Sequence, residues 1–129
     1  MNMKEKYYQY WQTASKQDIE TAEILFKNKR YHHCLFFCHL SVEKYLKAVY
    51  VYKKESAPPF VHDLVRLAEK TGIKMNDEKR NVFAEISAFN IEARYDDYKL
   101  SFYKKATKAF ASQYLNQTKG ILKWLNQLS

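Results

Sequence analysis

The fold is decided by residues 31–54, which read YHHCLFFCHLSVEKYLKAVYVYKK. Aliphatic residues recur along one stripe of this predicted helix, namely Leu35, Val42, Leu46 and Val49. Apolar side chains also cover most of the remaining circumference, and a helix that is apolar on nearly every side has to be buried on every side. Three or four neighbouring helices of so small a chain cannot cover it completely. We therefore expect part of its surface to contact a second copy of the chain.

The rest of the sequence predicts an all-α fold, an antiparallel bundle of four main helices and one short helix in a single domain over residues 1–129. Hydrophobic periodicity gives the other helices as residues 4–27, 62–71, 76–89 and 103–128, with a partly irregular segment over residues 90–102. Pro58 and Pro59 follow the central helix closely, and Gly72 is expected to end the short one. Two glycines and two prolines are too few turn residues for a sheet protein of this length.

Composition narrows the class of protein. No run of about 18 apolar residues is present, so we expect no membrane-spanning helix. Residues 1–6 lack the apolar core of a secretory signal, and two cysteines, Cys34 and Cys38, do not suggest a disulfide framework. These features predict a reducing, cytoplasmic setting. The net charge of +8 favours association with polyanions but does not indicate a reaction.

The predicted last helix is amphipathic. Its apolar side carries Tyr103, Phe110, Tyr114, Ile121 and Leu125. Roughly opposite, within about 100° of arc, lies a basic stripe of five lysines, Lys104, Lys105, Lys108, Lys119 and Lys123. This stripe is either a solvated face or a surface that attracts a polyanion such as RNA.

Asp18 lies in the middle of the apolar face of the first predicted helix. A carboxylate in that position is costly unless it is paired or hydrogen-bonded. One interpretation is a buried structural pair with Lys44, Lys47, Arg94 or a tyrosine hydroxyl. The other makes Asp18 part of an internal polar site.

Two further pairs of polar residues have a structural and a functional interpretation each. Glu43 and Lys47 stand one helical turn apart. They form either an ordinary ion pair or part of a dimer seam or polar cleft. Asp63 is suited to capping the short helix, which makes His62 either a helix-start residue or a free imidazole acting on a phosphate.

Cys34 and Cys38 lie on one face of the central helix, with histidines nearby. Structural zinc needs four converging ligands, and His32, His33 and His39 point elsewhere. We therefore expect two apolar cysteines in a packed stripe, and no metal or cofactor site. The sequence also has no glycine-rich phosphate loop and no Ser/His/Asp arrangement.

The densest polar and aromatic cluster is Arg94-Tyr95-Asp96-Asp97-Tyr98-Lys99. Arginine can bind a phosphate with two hydrogen bonds, and tyrosine can stack on a base. The cluster is either a ligand site of this kind or a solvated connection.

Taken in series, these segments resemble a HEPN domain (higher eukaryotes and prokaryotes nucleotide-binding) over roughly residues 8 to 120. The resemblance is carried most specifically by Val42-Glu43-Lys44-Tyr45-Leu46-Lys47-Ala48 in the central helix. It is supported by several weaker matches in order and spacing: Asp18 with Ala22 and Leu25, Tyr31 followed by Phe37, His62-Asp63-Leu64, and Ala93-Arg94-Tyr95-Asp96.

The resemblance implies a bundle of four or five helices that dimerises, often acting beside a minimal nucleotidyltransferase in toxin–antitoxin pairs. Many HEPN domains are metal-independent ribonucleases in which an arginine is followed, after four to six residues, by a histidine, in a cleft at the dimer interface. Arg94 matches the arginine. Lys99, Leu100 and Ser101 stand where the histidine belongs, and none of them titrates as histidine does.

The sequence therefore predicts a non-catalytic dimeric HEPN-type module with no catalytic residue, dimerising through helix 31–54. Its expected ligand is a nucleotide, an RNA or a nucleotidyltransferase partner. The candidate ligand-binding residues are Arg94, Tyr95, Asp18, Lys47 and His62. Two alternatives stay open: a ribonuclease in which His62 or another group replaces the missing histidine, and a purely structural dimeric adaptor.

Overall fold

The structure, a computed structural model, describes residues 1–128, and within them it contains six α-helices and no β-strand. The predicted all-α helical bundle is confirmed. In chain order the helices are α1 (Met3–Lys27), α2 (Tyr31–Lys54), α3 (Leu64–Thr71), α4 (Asp77–Arg94), α5 (Ser101–Lys105) and α6 (Lys108–Leu128).

The central helix α2 packs against all five other helices, and most extensively against α1. Thirteen of its residues are buried, and the others are half-buried or exposed. The apolar side chains left half-buried include Phe36, Leu40 and Tyr50. At 100° per residue these three lie within about 80° of one another, so they form one stripe along α2.

The core consists of two clusters, and α2 contributes side chains to both. The larger one joins α2 to α3, α4 and α6, and its fully buried members include Leu46, Leu67, Phe83, Phe89 and Leu125. The smaller one lies between α1, α2 and α6 and contains Ile19, Ala22, Cys34, Cys38 and Leu115. Together they fix α2 between the two ends of the chain.

The short helix α3 begins two residues later than the sequence predicted. The Asp63 carboxylate caps it by accepting a hydrogen bond from the Arg66 backbone N–H at 3.2 Å, which leaves His62 outside the helix. At the other end, Gly72 adopts a φ of 81°, a left-handed conformation that glycine takes without strain. The predicted helix end at Gly72 is correct.

The segment after Phe89 differs from the prediction. Helix α4 continues to Arg94 instead of ending at Phe89. Residues 90–94 contain no helix-breaking residue, and the half-buried Ala93 packs against the larger core cluster. The expected irregular connection is therefore confined to residues 95–100.

The prediction of one continuous last helix from residue 103 is wrong. The chain forms the short α5, leaves helical geometry at Ala106, and starts again at Lys108. Thr107 explains the break, because its hydroxyl accepts a hydrogen bond from the Phe110 backbone N–H at 3.2 Å, as a helix-capping residue does. Tyr103, placed on the apolar side by the prediction, is exposed on α5.

Within the described residues, none of the helices combines the length and the apolar character that crossing a membrane requires.

Candidate functional site

A buried carboxylate, Glu43, is the centre of one polar cluster. Its side chain is 6% exposed and accepts three hydrogen bonds. Oε1 lies 3.1 Å from His39 Nε2 and 2.9 Å from His62 Nδ1, and Oε2 accepts from Lys47 Nζ at 3.1 Å. Helix α2 supplies three of these residues at successive turns, while His62 comes from the segment that precedes α3.

The environment of Glu43 keeps it ionised. Burial alone raises the pKa of this carboxyl, but the hydrogen bonds from His39 and His62 and the charge of Lys47 outweigh it and lower the pKa from 4.5 to about 2. At neutral pH the carboxylate therefore only accepts hydrogen bonds, so each bound imidazole nitrogen must carry its proton.

The two histidines of this cluster differ in their access to solvent. The His39 ring is fully buried, and its other nitrogen, Nδ1, has no hydrogen-bond partner within residues 1–128. The side chain of His62 is 61% exposed. The cluster therefore ends in a histidine that solution molecules can reach.

Lys47 connects the cluster to an aromatic cavity. Its ammonium nitrogen lies 5.3 Å from the centre of the Trp11 ring, which lines a cavity of about 1030 Å³. Tyr7, Tyr10 and Pro58 line the same cavity, between the start of α1 and the end of α2. Its walls are mainly apolar and aromatic, as in many small-molecule sites.

Asp18 belongs to a separate contact between α1 and α2. Its Oδ2 lies 2.7 Å from Lys44 Nζ, so the structure contains one of the buried pairs considered from the sequence. The two other basic candidates are engaged elsewhere, since Lys47 bonds to Glu43 and Arg94 to Tyr95. This contact positions α1 on α2, and it brings Asp18 to none of the other candidate ligand residues.

Arg94 and Tyr95 form an exposed pair at the end of α4. The Arg94 guanidinium lies 5.2 Å from the centre of the Tyr95 ring, and its Nη2 donates to the Tyr95 hydroxyl at 3.2 Å. No ion pair holds this guanidinium within the described part of the chain, and the tyrosine is 68% exposed. A cation and an adjacent aromatic face are therefore both accessible to a ligand.

The carboxylates of the two acids that follow this pair accept hydrogen bonds from backbone N–H groups. Asp96 accepts hydrogen bonds from the backbone N–H groups of Asp97, Phe102 and Tyr103, and Asp97 accepts from those of Lys99 and Ser101. The hydrogen bond from Phe102 is the main cause of the lowered pKa of Asp96. The hydrogen bond from Ser101 is the main cause of the lowered pKa of Asp97. The acids shape the start of α5 and do not neutralise Arg94 through an ion pair.

The five lysines of the basic stripe do not share one helix face. Lys104 and Lys105 lie on α5, while the other three lie on α6. Lys119 pairs with Glu23 at 3.4 Å, and Lys105 lies 3.9 Å from Glu92. The stripe is thus interrupted by the break at residues 106–107 and is partly neutralised.

Cys34 and Cys38 are free thiols, fully buried in the smaller core cluster. Hydrogen bonding to Cys38 and burial raise the pKa of the Cys34 thiol, whereas the bond from Cys34 lowers that of Cys38. Their position is that of two packed apolar side chains.

The predicted ligand residues fall into three groups. Lys47 and His62 meet at Glu43, Asp18 pairs with Lys44, and Arg94 and Tyr95 stand at the end of α4. The helix α5 that follows the Arg94 loop packs near the start of α2, where the Tyr103 ring lies 5.1 Å from that of His32. Glu43 is eleven residues farther along α2, which corresponds to about 16 Å.

The sequence interpretation missed the role of Glu43 as a shared acceptor and the participation of His39. Residues 39, 43 and 47 are spaced by four, so the pattern of histidine, glutamate and lysine on one helix face could have been noticed. The contact of Glu43 with His62 could not, because it depends on the path of residues 55–63.

Comparison with known proteins gives one match. The family model of the HEPN domain matches residues 8–128 of the chain. Neither the curated proteins nor the solved structures contain a match.

Proposed function

The chain belongs to the HEPN domain family, a family of nucleotide-binding and ribonuclease-type domains, and from this membership we propose a non-catalytic, homodimeric module that binds a nucleotide or RNA through Arg94 and Tyr95. The observation that carries the proposal is an exposed guanidinium that has no ion pair within residues 1–128 and lies beside an exposed tyrosine ring. A phosphate fits the guanidinium, and a base fits the ring face.

The loop after Arg94 supports binding at this position. The Asp96 and Asp97 carboxylates accept hydrogen bonds from backbone N–H groups of residues 97–103. These bonds hold the loop in a defined shape. A ligand that binds Arg94 and Tyr95 therefore meets side chains on a supported backbone, which lowers the entropy lost on binding.

The non-catalytic part of the proposal rests on the residues after Arg94. Lys99, Leu100 and Ser101 occupy the positions of the ribonuclease histidine, and Leu100 and Ser101 form the start of α5. No imidazole follows Arg94 in the sequence, so the general acid–base group of the family's ribonucleases is missing from this segment.

The dimer is proposed through the half-buried stripe of α2. Phe36, Leu40 and Tyr50 are large apolar side chains that the chain leaves partly in water on one helix face. Burying such side chains against a second copy removes apolar area from solvent, at roughly 25 cal/mol per Å² before the costs of association. A minimal nucleotidyltransferase, in a toxin–antitoxin pair, is the protein partner that we propose for this dimer.

Binding is tested by fluorescence anisotropy with labelled single-stranded RNA and by calorimetry with mononucleotides. We expect Arg94→Ala to weaken binding about tenfold or more, from the loss of a phosphate contact. Arg80→Ala is the matched control, because Arg80 lies on the same helix but is paired with Glu69. If the two variants weaken binding equally, the effect is one of net charge and the Arg94 site is wrong.

The non-catalytic assignment is tested on the same preparations. We expect the wild-type protein to leave labelled RNA intact without added metal. RNA cleavage that Arg94→Ala abolishes would show that the protein is a ribonuclease and overturn this part of the proposal.

The dimer is tested by light scattering after size-exclusion chromatography. Leu40→Asp places a charge in the stripe and is expected to give monomers. Ile24→Asp, at an exposed position of α1, is the control that leaves the dimer intact. A monomeric wild-type protein, or a dimer that survives Leu40→Asp, contradicts the proposed interface.

A further inference from the structure

His62 is a histidine with one nitrogen fixed and the other accessible. Its Nδ1 lies 2.9 Å from Oε1 of the buried Glu43, while the side chain as a whole is 61% exposed. The two ring nitrogens lie on different sides of the imidazole, so anchoring Nδ1 to the buried carboxylate leaves Nε2 on the side of the ring away from it. The binding function proposed for Arg94 makes no use of this arrangement.

The contact decides which nitrogen of a neutral His62 holds the proton. An ionised carboxylate accepts hydrogen bonds only, so Nδ1 must donate. In the neutral ring Nε2 then carries the free lone pair. A carboxylate in this position holds one tautomer of the imidazole and stabilises the positive charge that develops when the other nitrogen reacts.

Glu43 is suited to this role because its charge persists. The low pKa of about 2 keeps the carboxylate ionised throughout the neutral range. Lys47 and the buried His39 hold the carboxylate from α2, so its position does not depend on His62. The imidazole therefore rests on a fixed, charged support.

The surroundings of His62 favour the transfer of a group to it over an enclosed reaction. It lines neither the aromatic cavity near Trp11 nor the smaller one beside Tyr45, and most of its side chain is in solvent. Enclosed active sites exclude water around the reacting atoms, which this open position does not do. An exposed nucleophile can instead meet a donor that arrives from solution.

We propose that His62 is a modification site, at which Nε2 accepts a phosphoryl group from a donor such as an acyl phosphate or a phosphoramidate. The net charge of +8 favours the approach of these anionic donors.

In the reaction with an acyl phosphate, the Nε2 lone pair attacks phosphorus and forms an N–P bond. The bond from phosphorus to the acyl oxygen breaks, and the carboxylate leaves with the electron pair. The ring gains a positive charge, which the Nδ1–H group shares with Glu43. No oxidant, reductant or metal ion is required.

Glu43 acts in this reaction as a positioning residue. Glu43→Gln keeps a side chain of the same size and an oxygen that can accept from Nδ1, but it removes the negative charge. We expect this variant to be phosphorylated at least about tenfold more slowly, because it no longer stabilises the charged ring. The ¹⁵N chemical shifts of His62 measure the tautomer directly and should show an unprotonated Nε2 in the neutral wild-type ring, with a mixture of tautomers in Glu43→Gln.

The experiment exposes the purified full chain to potassium phosphoramidate and, separately, to acetyl phosphate at neutral pH. Intact mass and peptide mapping then give the number and position of phosphoryl groups. We expect one group, on His62, that is lost in acid and retained in base. His62→Gln should remain unmodified.

His33→Gln is the matched control, because His33 is also exposed but contacts the His32 ring instead of a carboxylate. It should be modified at the wild-type rate. Circular dichroism and thermal unfolding of each variant separate a lost site from a lost fold.

Several outcomes would overturn the proposal. They are an unmodified wild-type chain, modification of His33 as fast as that of His62, and an unchanged rate in a folded Glu43→Gln variant. Because His62 and Arg94 are tested by different assays, either proposal can fail while the other stands.

Discussion

Glu43 provides a stability prediction that can be worked out from its contacts. Its pKa is lowered from 4.5 to about 2 in the folded chain, because the bonds from His39 and His62 and the charge of Lys47 outweigh the effect of burial. A group whose pKa is lowered by folding stabilises the protein fully above its unfolded pKa. That stabilisation is lost as the pH falls through the folded pKa. The relevant window is therefore from about pH 5 down to about pH 2.

The expected magnitude follows from the same values. A tenfold change in proton affinity corresponds to about 1.4 kcal/mol, so a fall from 4.5 to about 2 would give at most about 3 kcal/mol. Solvent reaches part of the cluster through His62 and weakens the interaction. We therefore expect about 2 kcal/mol.

The assay is urea unfolding of the wild-type chain and of Glu43→Gln, followed by circular dichroism at a series of pH values from 7 to 2.5. Glutamine does not titrate, so the wild-type chain should lose about 2 kcal/mol more than the variant between pH 5 and pH 2.5. Asp96 and Asp97 also have lowered pKa values, but they are present in both proteins and cancel in the difference. Parallel pH profiles below pH 5 would refute the reasoning.

Three other substitutions test the local structure by thermal or urea unfolding. Thr107→Ala should cost about 1 kcal/mol by removing the cap on the Phe110 N–H, whereas Thr107→Ser should cost much less; equal losses would contradict the capping role. Leu100→Gly should raise stability by roughly 1 kcal/mol, because Leu100 is exposed and has a φ of 57°, and a lower unfolding temperature would contradict this. A double-mutant cycle of Asp18→Ala and Lys44→Ala should give a coupling of about 1 kcal/mol, and additive effects would show that the 2.7 Å pair contributes nothing.

The helices that the sequence predicted best are those whose boundaries depend on local signals. The first two were placed within a residue, because both have a clear apolar pattern and a polar or proline-containing segment after them. Gly72 ended α3 as expected for the same reason. In these places the residue type alone determines the backbone geometry.

The region from residue 90 to residue 107 was predicted poorly because side chains, not periodicity, organise it. Asp96 bonds to backbone groups six and seven residues ahead, at Phe102 and Tyr103, and so creates α5. An apolar pattern does not record such bonds. Thr107 was a readable signal for a new helix start, but the apolar positions on both sides of it suggested a continuous helix.

The candidate site divides in the same way. Arg94 and Tyr95 were singled out by residue chemistry as part of either a ligand site or a solvated connection, and in the structure they are adjacent and exposed. The Glu43–His62 contact joins residues nineteen positions apart and depends on how residues 55–63 return to α2. Such a contact follows from tertiary packing, which a single sequence does not contain.

The extensive packing of α1 on α2 has a consequence for how the chain folds. These helices are consecutive in sequence and are joined by a short turn over residues 28–30, so the most extensive helix pair of the bundle needs only a small loop to close. We expect this hairpin to belong to the folding nucleus, with α3 to α6 docking on it later. During synthesis the hairpin leaves the ribosome before the helices that follow it, and the side of α2 that holds Leu46 and Val49 then stays exposed until α4 and α6 emerge. This interval is the stage at which the newly made chain is most open to aggregation or to binding by a chaperone.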